Sequence, residues 1–112
     1  MNEKLFHEQV ERNLKGIQLE KEGQEDRAIE LYEKNIEENF IGNHPYDRLA
    51  IIYRRKKQFD EEIRVLQKAI WVFENIVFEE RVDKLPKLQK FQNRLEKAKI
   101  LKNKMISHYT LK

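Results

Sequence analysis

The sequence nearly repeats itself after 34 residues, and this repeat limits the possible fold more than any other feature. Between residues 9–42 and 43–76, six pairs are identical at that offset: Ile17 and Ile51, Gln24 and Gln58, Asp26 and Asp60, Ile29 and Ile63, Lys34 and Lys68, and Ile36 and Ile70. Two more pairs match in size: Gly16 with Ala50, and Leu19 with Tyr53. Repeats of this length are stacked supersecondary units that cannot bury their apolar faces alone. We therefore expect two similar units packed side by side, over about residues 9–42 and 43–76.

Apolar residues recur every three or four positions in five segments, which predicts five α-helices and an all-α fold. The first segment stops near Gly23, Pro45 suits the first turn of the third helix, and Asp60 is expected to cap the fourth. The fourth segment is apolar on all sides between residues 69 and 78. We expect the fifth helix, over about residues 84–107, to cover that surface, so that the chain forms a single domain.

The repeat also has a recognisable residue pattern. The second copy has Leu49, Ala50, Tyr53, Phe59 and Ala69, and the first has Gly16, Ala28 and Tyr32. With this pattern and period the chain resembles the tetratricopeptide repeat family over about residues 9–76. The resemblance implies a right-handed superhelical stack of two helical hairpins, with the fifth, basic helix as a cap. Four positions depart from the family pattern: Arg12, Lys15, Asn35 and Glu62.

The resemblance further implies a concave surface formed by the first helix of each hairpin. The candidate partner-binding residues on it are Val10, Asn13, Leu14, Ile17, Asp47, Arg48, Ile51, Arg54 and Arg55. The hypothesis is a groove for a peptide whose apolar side chains rest on Leu14, Ile17 and Ile51, with acidic groups facing the arginines. The alternatives are that residues 5 and 6, the fifth helix or a second copy of the chain fills this groove.

Basic residues are concentrated at the C-terminal end. Residues 84–112 contain nine Lys and Arg against one acid, whereas residues 1–83 contain fourteen against nineteen acids. Clustered cations can neutralise phosphates, so this helix is a candidate nucleic-acid contact. The residues concerned are Lys87, Lys90, Arg94 and Lys97. The alternative is a solvated helix face that attracts the acidic body of the protein.

The sequence has few residues suited to catalysis or export. It has no cysteine, its only serine is Ser107, and its three histidines are scattered, so we expect neither an enzyme nor a cofactor or metal. No apolar segment is long enough to cross a membrane or to direct secretion, which predicts a cytoplasmic protein. The expected function is a scaffold or interaction module that binds a protein or peptide, with an acidic peptide among the expected partners. Nucleic-acid binding and homodimerisation are the alternatives.

Overall fold

The computed structural model describes residues 2–110, and five α-helices account for most of that range. Their bounds are Glu3–Lys21 for α1, Glu25–Glu37 for α2, His44–Arg55 for α3, Phe59–Asn75 for α4 and Lys84–Thr110 for α5. The described residues include no strand. The predicted all-α fold is therefore confirmed, and the consecutive helices pack as stacked hairpins.

Local signals explain where the helices begin and end. The Asn2 side chain caps α1 by accepting a hydrogen bond from the backbone N–H of Leu5 at 3.1 Å. Pro45 lies in the first turn of α3, as predicted. Gly23, with φ of 76°, follows α1 in the left-handed conformation that glycine adopts without strain. The cap predicted for α4 was wrong: Gln58 occupies that position, and Asp60 lies in the first turn, where its carboxylate faces the positive end of the helix.

The first hairpin packs through a close approach between α1 and α2. A Cβ atom added at Gly16 would lie 2.5 Å from Cε1 of Tyr32, whose side chain is fully buried. The Tyr32 hydroxyl donates a hydrogen bond to Oε2 of Glu20 at 2.6 Å, which fixes the ring. Glycine at this position therefore allows the two helices to enclose a large aromatic side chain.

A polar network also joins α1 to α2. The Asn35 side chain is fully buried, and its Nδ2 donates at 2.8 Å both to the Gln9 carbonyl and to Oδ1 of Asn13. Nη1 of Arg12 donates to Oδ1 of Asn35 and to Oε1 of Glu38. Buried polar groups are tolerated when they are paired in this way. Arg12 and Asn35 thus contact each other within this network.

The fifth helix belongs to the same core. Phe91 is buried, and its ring meets the rings of Tyr46 and Phe73 edge-on, with centroids 6.1 and 5.3 Å apart. Ala98 lies two turns further along α5 and is fully buried as well. Aromatic contacts of this kind stabilise beyond the area that they bury. The fifth helix therefore continues the stack along α4 and also contacts α3.

The prediction that the apolar surface of α4 is covered on all sides was wrong. Trp71 remains 47% exposed, with Nζ of Lys68 5.1 Å from the centre of its ring, and Ile76 and Phe78 are also exposed. The fifth helix covers another side of α4, where the fully buried ring of Phe73 packs against that of Phe91. Within residues 2–110 no helix combines the length and the apolar content that a membrane span requires.

Candidate peptide-binding groove

The third helix lies between α1 and α5 on one side of the stack. On its α1 side, Nη2 of Arg48 is 2.6 Å from Oε1 of Glu20. On its α5 side, Oδ1 of Asp47 accepts a hydrogen bond from Nη1 of Arg94 at 2.5 Å. The first and third helices are thus neighbours, which is the arrangement that a shared binding surface requires.

A pocket of about 350 Å³ opens between α3 and α5. We call it the α3–α5 groove, defined by Ala50, Ile51, Arg54, Arg55, Glu62 and Arg94. Ile51 is 47% exposed although it is a large apolar residue. An apolar side chain surrounded by guanidinium groups can hold a partner that combines an apolar and an acidic residue.

The most buried polar group of this groove is Glu62, a residue of α4 that is only 1% exposed. Its Oε2 accepts a hydrogen bond from Nε of Arg54 at 2.7 Å, whereas Oε1 has no hydrogen-bond partner among the described residues. Burial raises the pKa of the Glu62 carboxyl, and the nearby charges of Arg54 and Arg94 oppose that rise. Glu62 thus supplies a partly compensated negative charge beneath the arginines.

The arginines of α3 that are predicted to face acidic groups of a partner form the basic wall of the predicted groove, and all of them are ion-paired within the chain. The pairs are Arg48 with Glu20, Arg54 with Glu62, and Arg55 with Glu25. Burial opposes ionisation of Glu20, but the hydrogen bonds from Arg48 and Tyr32 outweigh it, and the pKa of Glu20 is lowered. A guanidinium has five N–H donors, so each paired arginine retains donors for a second acceptor. The wall is therefore available only where these donors reach solvent, as at Arg55, which is 57% exposed.

The apolar candidates are not all brought together. Ile51 lies in the α3–α5 groove, and Ile17 occupies the equivalent position on α1, where it is half-buried. Leu14 is 56% exposed, and its equivalent on α3 is Arg48, which points back toward α1. Asn13 is buried against α2, where it accepts its hydrogen bond from Asn35. Leu14 and Asn13 therefore do not line the α3–α5 groove.

The basic residues predicted on α5 fall into two groups. Arg94 pairs with Asp47, and Lys87 pairs with Asp83 at 3.0 Å, so both side chains are held against the protein body. Lys90 and Lys97 are exposed, and no ion pair involves them among residues 2–110. Only the second group is free to contact another molecule.

Two residues of the α3–α5 groove were not foreseen as parts of one site. The sequence singles out Glu62 only as a departure from the tetratricopeptide pattern that the chain resembles. Arg94 is predicted from the cluster of basic residues to contact nucleic acid. Nothing in the sequence shows that α5 turns this side chain toward α3. Sequence spacing locates a residue on a helix face, but the partner of that face depends on how the helices pack.

Other binding chemistry is limited in the described part of the chain. Residues 2–110 contain no group of three His, Asp or Glu side chains placed to hold a metal ion. His44 is half-buried against Tyr32, and burial lowers its pKa. No family model, curated protein or solved structure matches this chain. The geometry of the chain itself must therefore support any functional proposal.

Proposed function

We propose that this protein is an interaction module that binds a peptide or protein segment in the α3–α5 groove. The observation that carries the proposal is Ile51, which stays half-exposed in a pocket bordered by Arg54, Arg55 and Arg94. The 34-residue repeat and the order of the helices support a tetratricopeptide-like stack as its framework. We propose the cytoplasm as its location, since the sequence has no cysteine for the disulfides of oxidising compartments.

The groove favours a segment with one apolar and one acidic side chain. The apolar side chain would cover Ile51 and remove its exposed surface from water. The acidic group would accept hydrogen bonds from the free N–H groups of Arg55, which is the most exposed of the predicted wall arginines. Because Arg54 already pairs with the buried Glu62, it is a weaker candidate for this second contact.

A fluorescence-polarisation titration tests the proposal. The probes are labelled peptides that place a Leu or Phe one to four residues from an Asp or Glu, with matched peptides that carry Gln instead of the acid. We expect saturable binding that the Gln peptides lose in part. Ile51→Asp should weaken binding at least about tenfold, because it replaces the apolar contact with a charge repelled by the acidic probe.

The chain offers a matched control for that substitution. Ile100 on α5 is 48% exposed, close to the exposure of Ile51, but it does not line the α3–α5 groove. Ile100→Asp should therefore leave binding unchanged. Arg55→Ala should reduce only the preference for acidic peptides; Arg54→Ala is avoided because it would leave Glu62 buried without its ion partner. Equal losses for both Ile→Asp variants would refute the groove as the binding site.

A second candidate function uses the exposed lysines of α5. Lys90, Lys97 and Lys104 follow each other at seven-residue intervals, which places them on one side of the helix, and all three are exposed. Such a row can contact phosphates of a nucleic acid without reading its sequence. Replacing all three with Gln should abolish binding to a labelled duplex at low salt. An unchanged affinity, or no binding by the native protein, would eliminate this candidate.

A further inference from the structure

The outer side of α1 has an apolar seam with the spacing of a coiled coil. Val10, Leu14 and Ile17 follow each other at intervals of four and three residues, which keeps them in one row along the helix. Leu14 is 56% exposed, and the other two side chains are half-buried. This row is separate from the α3–α5 groove, which α1 does not line.

The repeat shows what kind of contact this side of α1 is built for. Thirty-four residues after Leu14 and Lys21, the equivalent positions of α3 are Arg48 and Arg55. Both arginines point back to the preceding hairpin, where they pair with acids of α1 and α2. The positions of Leu14 and Lys21 on α1 therefore correspond to a stacking surface, and Leu14 is exposed there among the described residues, whereas Ile17, whose equivalent Ile51 lines the α3–α5 groove, lies at the edge of this surface.

The charges at the two ends of the row indicate what covers it. Continuing at the same spacing, the row extends through His7 to Glu3 at one end and to Lys21 at the other, and all three residues are exposed. Glu3 and Lys21 lie nine residues on either side of Arg12, and Val10 and Leu14 lie two residues on either side of it. A twofold axis at the level of residue 12 would therefore pair opposite charges and apolar side chains at once.

We propose that the partner of this seam is a second copy of the chain, with the two α1 helices packed antiparallel. In this dimer Val10 of one copy packs against Leu14 of the other, and Glu3 pairs with Lys21 at both ends. The row from residue 3 to residue 21 is about 27 Å long at 1.5 Å per residue, which is enough for a two-helix contact. A contact of this kind is isologous, so it closes at two copies and leaves both α3–α5 grooves free.

A parallel arrangement would not have the same complementarity. It would place Glu3 beside Glu3 and Lys21 beside Lys21, and like charges at close range repel each other. The antiparallel arrangement converts both repulsions into attractions and keeps an apolar contact between residues 10 and 14, while Ile17 of each copy faces His7 of the other. Charge order along the helix thus selects the orientation as well as the partner.

Light scattering after size-exclusion chromatography, at loading concentrations from about 1 to about 500 µM, measures the association. We expect the mass to rise with concentration from 13.7 kDa toward twice that value. Leu14→Glu should hold the mass at that of the monomer, whereas Ile100→Glu, at a similarly exposed site on α5, should leave the association unchanged. A native protein that stays at 13.7 kDa throughout would overturn the proposal.

Charge variants test the antiparallel register. Glu3→Lys and Lys21→Glu should each weaken the homodimer about tenfold, because each creates two repulsive end contacts. A mixture of these two single variants should dimerise as well as the native protein, since the mixed dimer again has opposite charges at both ends. Failure of the mixture to associate more tightly than either variant alone would refute the register.

Cysteine crosslinking tests the same register through the apolar contacts. The chain has no cysteine, so Val10→Cys and Leu14→Cys each introduce the only thiol. Under a mild oxidant, a mixture of the two variants should crosslink faster than either variant alone, because residue 10 faces residue 14 of the other copy. Fastest crosslinking within Leu14→Cys alone would indicate a parallel or shifted arrangement and would contradict the proposal.

Discussion

Gly16→Ala gives the sharpest test of how the first hairpin is packed. A Cβ at this position would lie 2.5 Å from Cε1, 2.7 Å from Cζ and 2.9 Å from the hydroxyl oxygen of Tyr32. The ring cannot simply move aside, because it is fully buried and its hydroxyl is bound to Glu20. The substitution must therefore separate α1 from α2 or break that hydrogen bond.

The change in the free energy of unfolding caused by Gly16→Ala follows from opposing effects. Alanine favours the helix over glycine by about 0.5–1 kcal/mol, whereas forcing an extra methyl into a packed core costs about 1–3 kcal/mol. Loss of the hydrogen bond between Tyr32 and Glu20 adds about 1.5–3 kcal/mol if the ring has to tilt, because the acceptor is charged. We expect the free energy of unfolding to fall by about 1–4 kcal/mol, and the melting temperature to fall by about 4–15 °C.

Urea unfolding followed by circular dichroism measures this change, and two further variants provide controls. In a Tyr32→Leu background, Gly16→Ala should become neutral or stabilising, because the ring that it meets is gone. Ala50 is the equivalent residue of the second copy and is fully buried, so Ala50→Gly should destabilise by about 1–2 kcal/mol. If Gly16→Ala stabilises the native protein, the close approach between α1 and α2 does not exist as described.

Three further predictions concern the buried polar groups and α5. Asn35→Ala should lower the free energy of unfolding by about 2–4 kcal/mol, because it leaves buried acceptors on α1 without a donor. The control Asn103→Ala, at an exposed site, should change it by less than about 0.5 kcal/mol, and urea titrations measure both changes. Phe91→Ala should cost about 3–5 kcal/mol and Ile100→Ala less than about 1 kcal/mol in the same assay; equal costs would mean that α5 is not part of the core. Because burial raises the pKa of Glu62, the folded protein binds this proton more tightly than the unfolded chain, so the contribution of Glu62 to stability falls as the pH rises from about 4 to about 7. The free energy of unfolding of Glu62→Gln, relative to the native protein, should therefore increase over that range in denaturant titrations at several pH values, and a difference that does not depend on pH would contradict the assignment.

The packing of the fifth helix shows where sequence reasoning reaches its limit. Its existence and its start at residue 84 follow from apolar residues spaced by threes and fours, and the structure confirms both. The sequence does not show which neighbouring helix each basic side chain of α5 faces. One face carries Phe91 and Ala98, but basic residues are distributed around much of the rest of the helix. Arg94 was therefore assigned to a nucleic-acid contact, although it borders the α3–α5 groove.

Charge pairing is the second property that the sequence left open. The arginines of α3 were predicted as a free basic wall, since their acidic partners lie up to 30 residues away along the chain. Ion pairs at that separation depend on which helices become neighbours, and periodicity within a single helix does not contain this information.

The sequence by itself determined the helical class, the number of helices and the small residues that allow the first hairpin to close around Tyr32. These properties depend on local spacing and residue size, which the 34-residue repeat makes visible. Only the tertiary structure decided which arginines are already paired, that Glu62 lies beneath them, and that Leu14 does not line the groove in which Ile51 lies. The physical reason is that these contacts join residues from different helices, and their geometry exists only once the helices have packed.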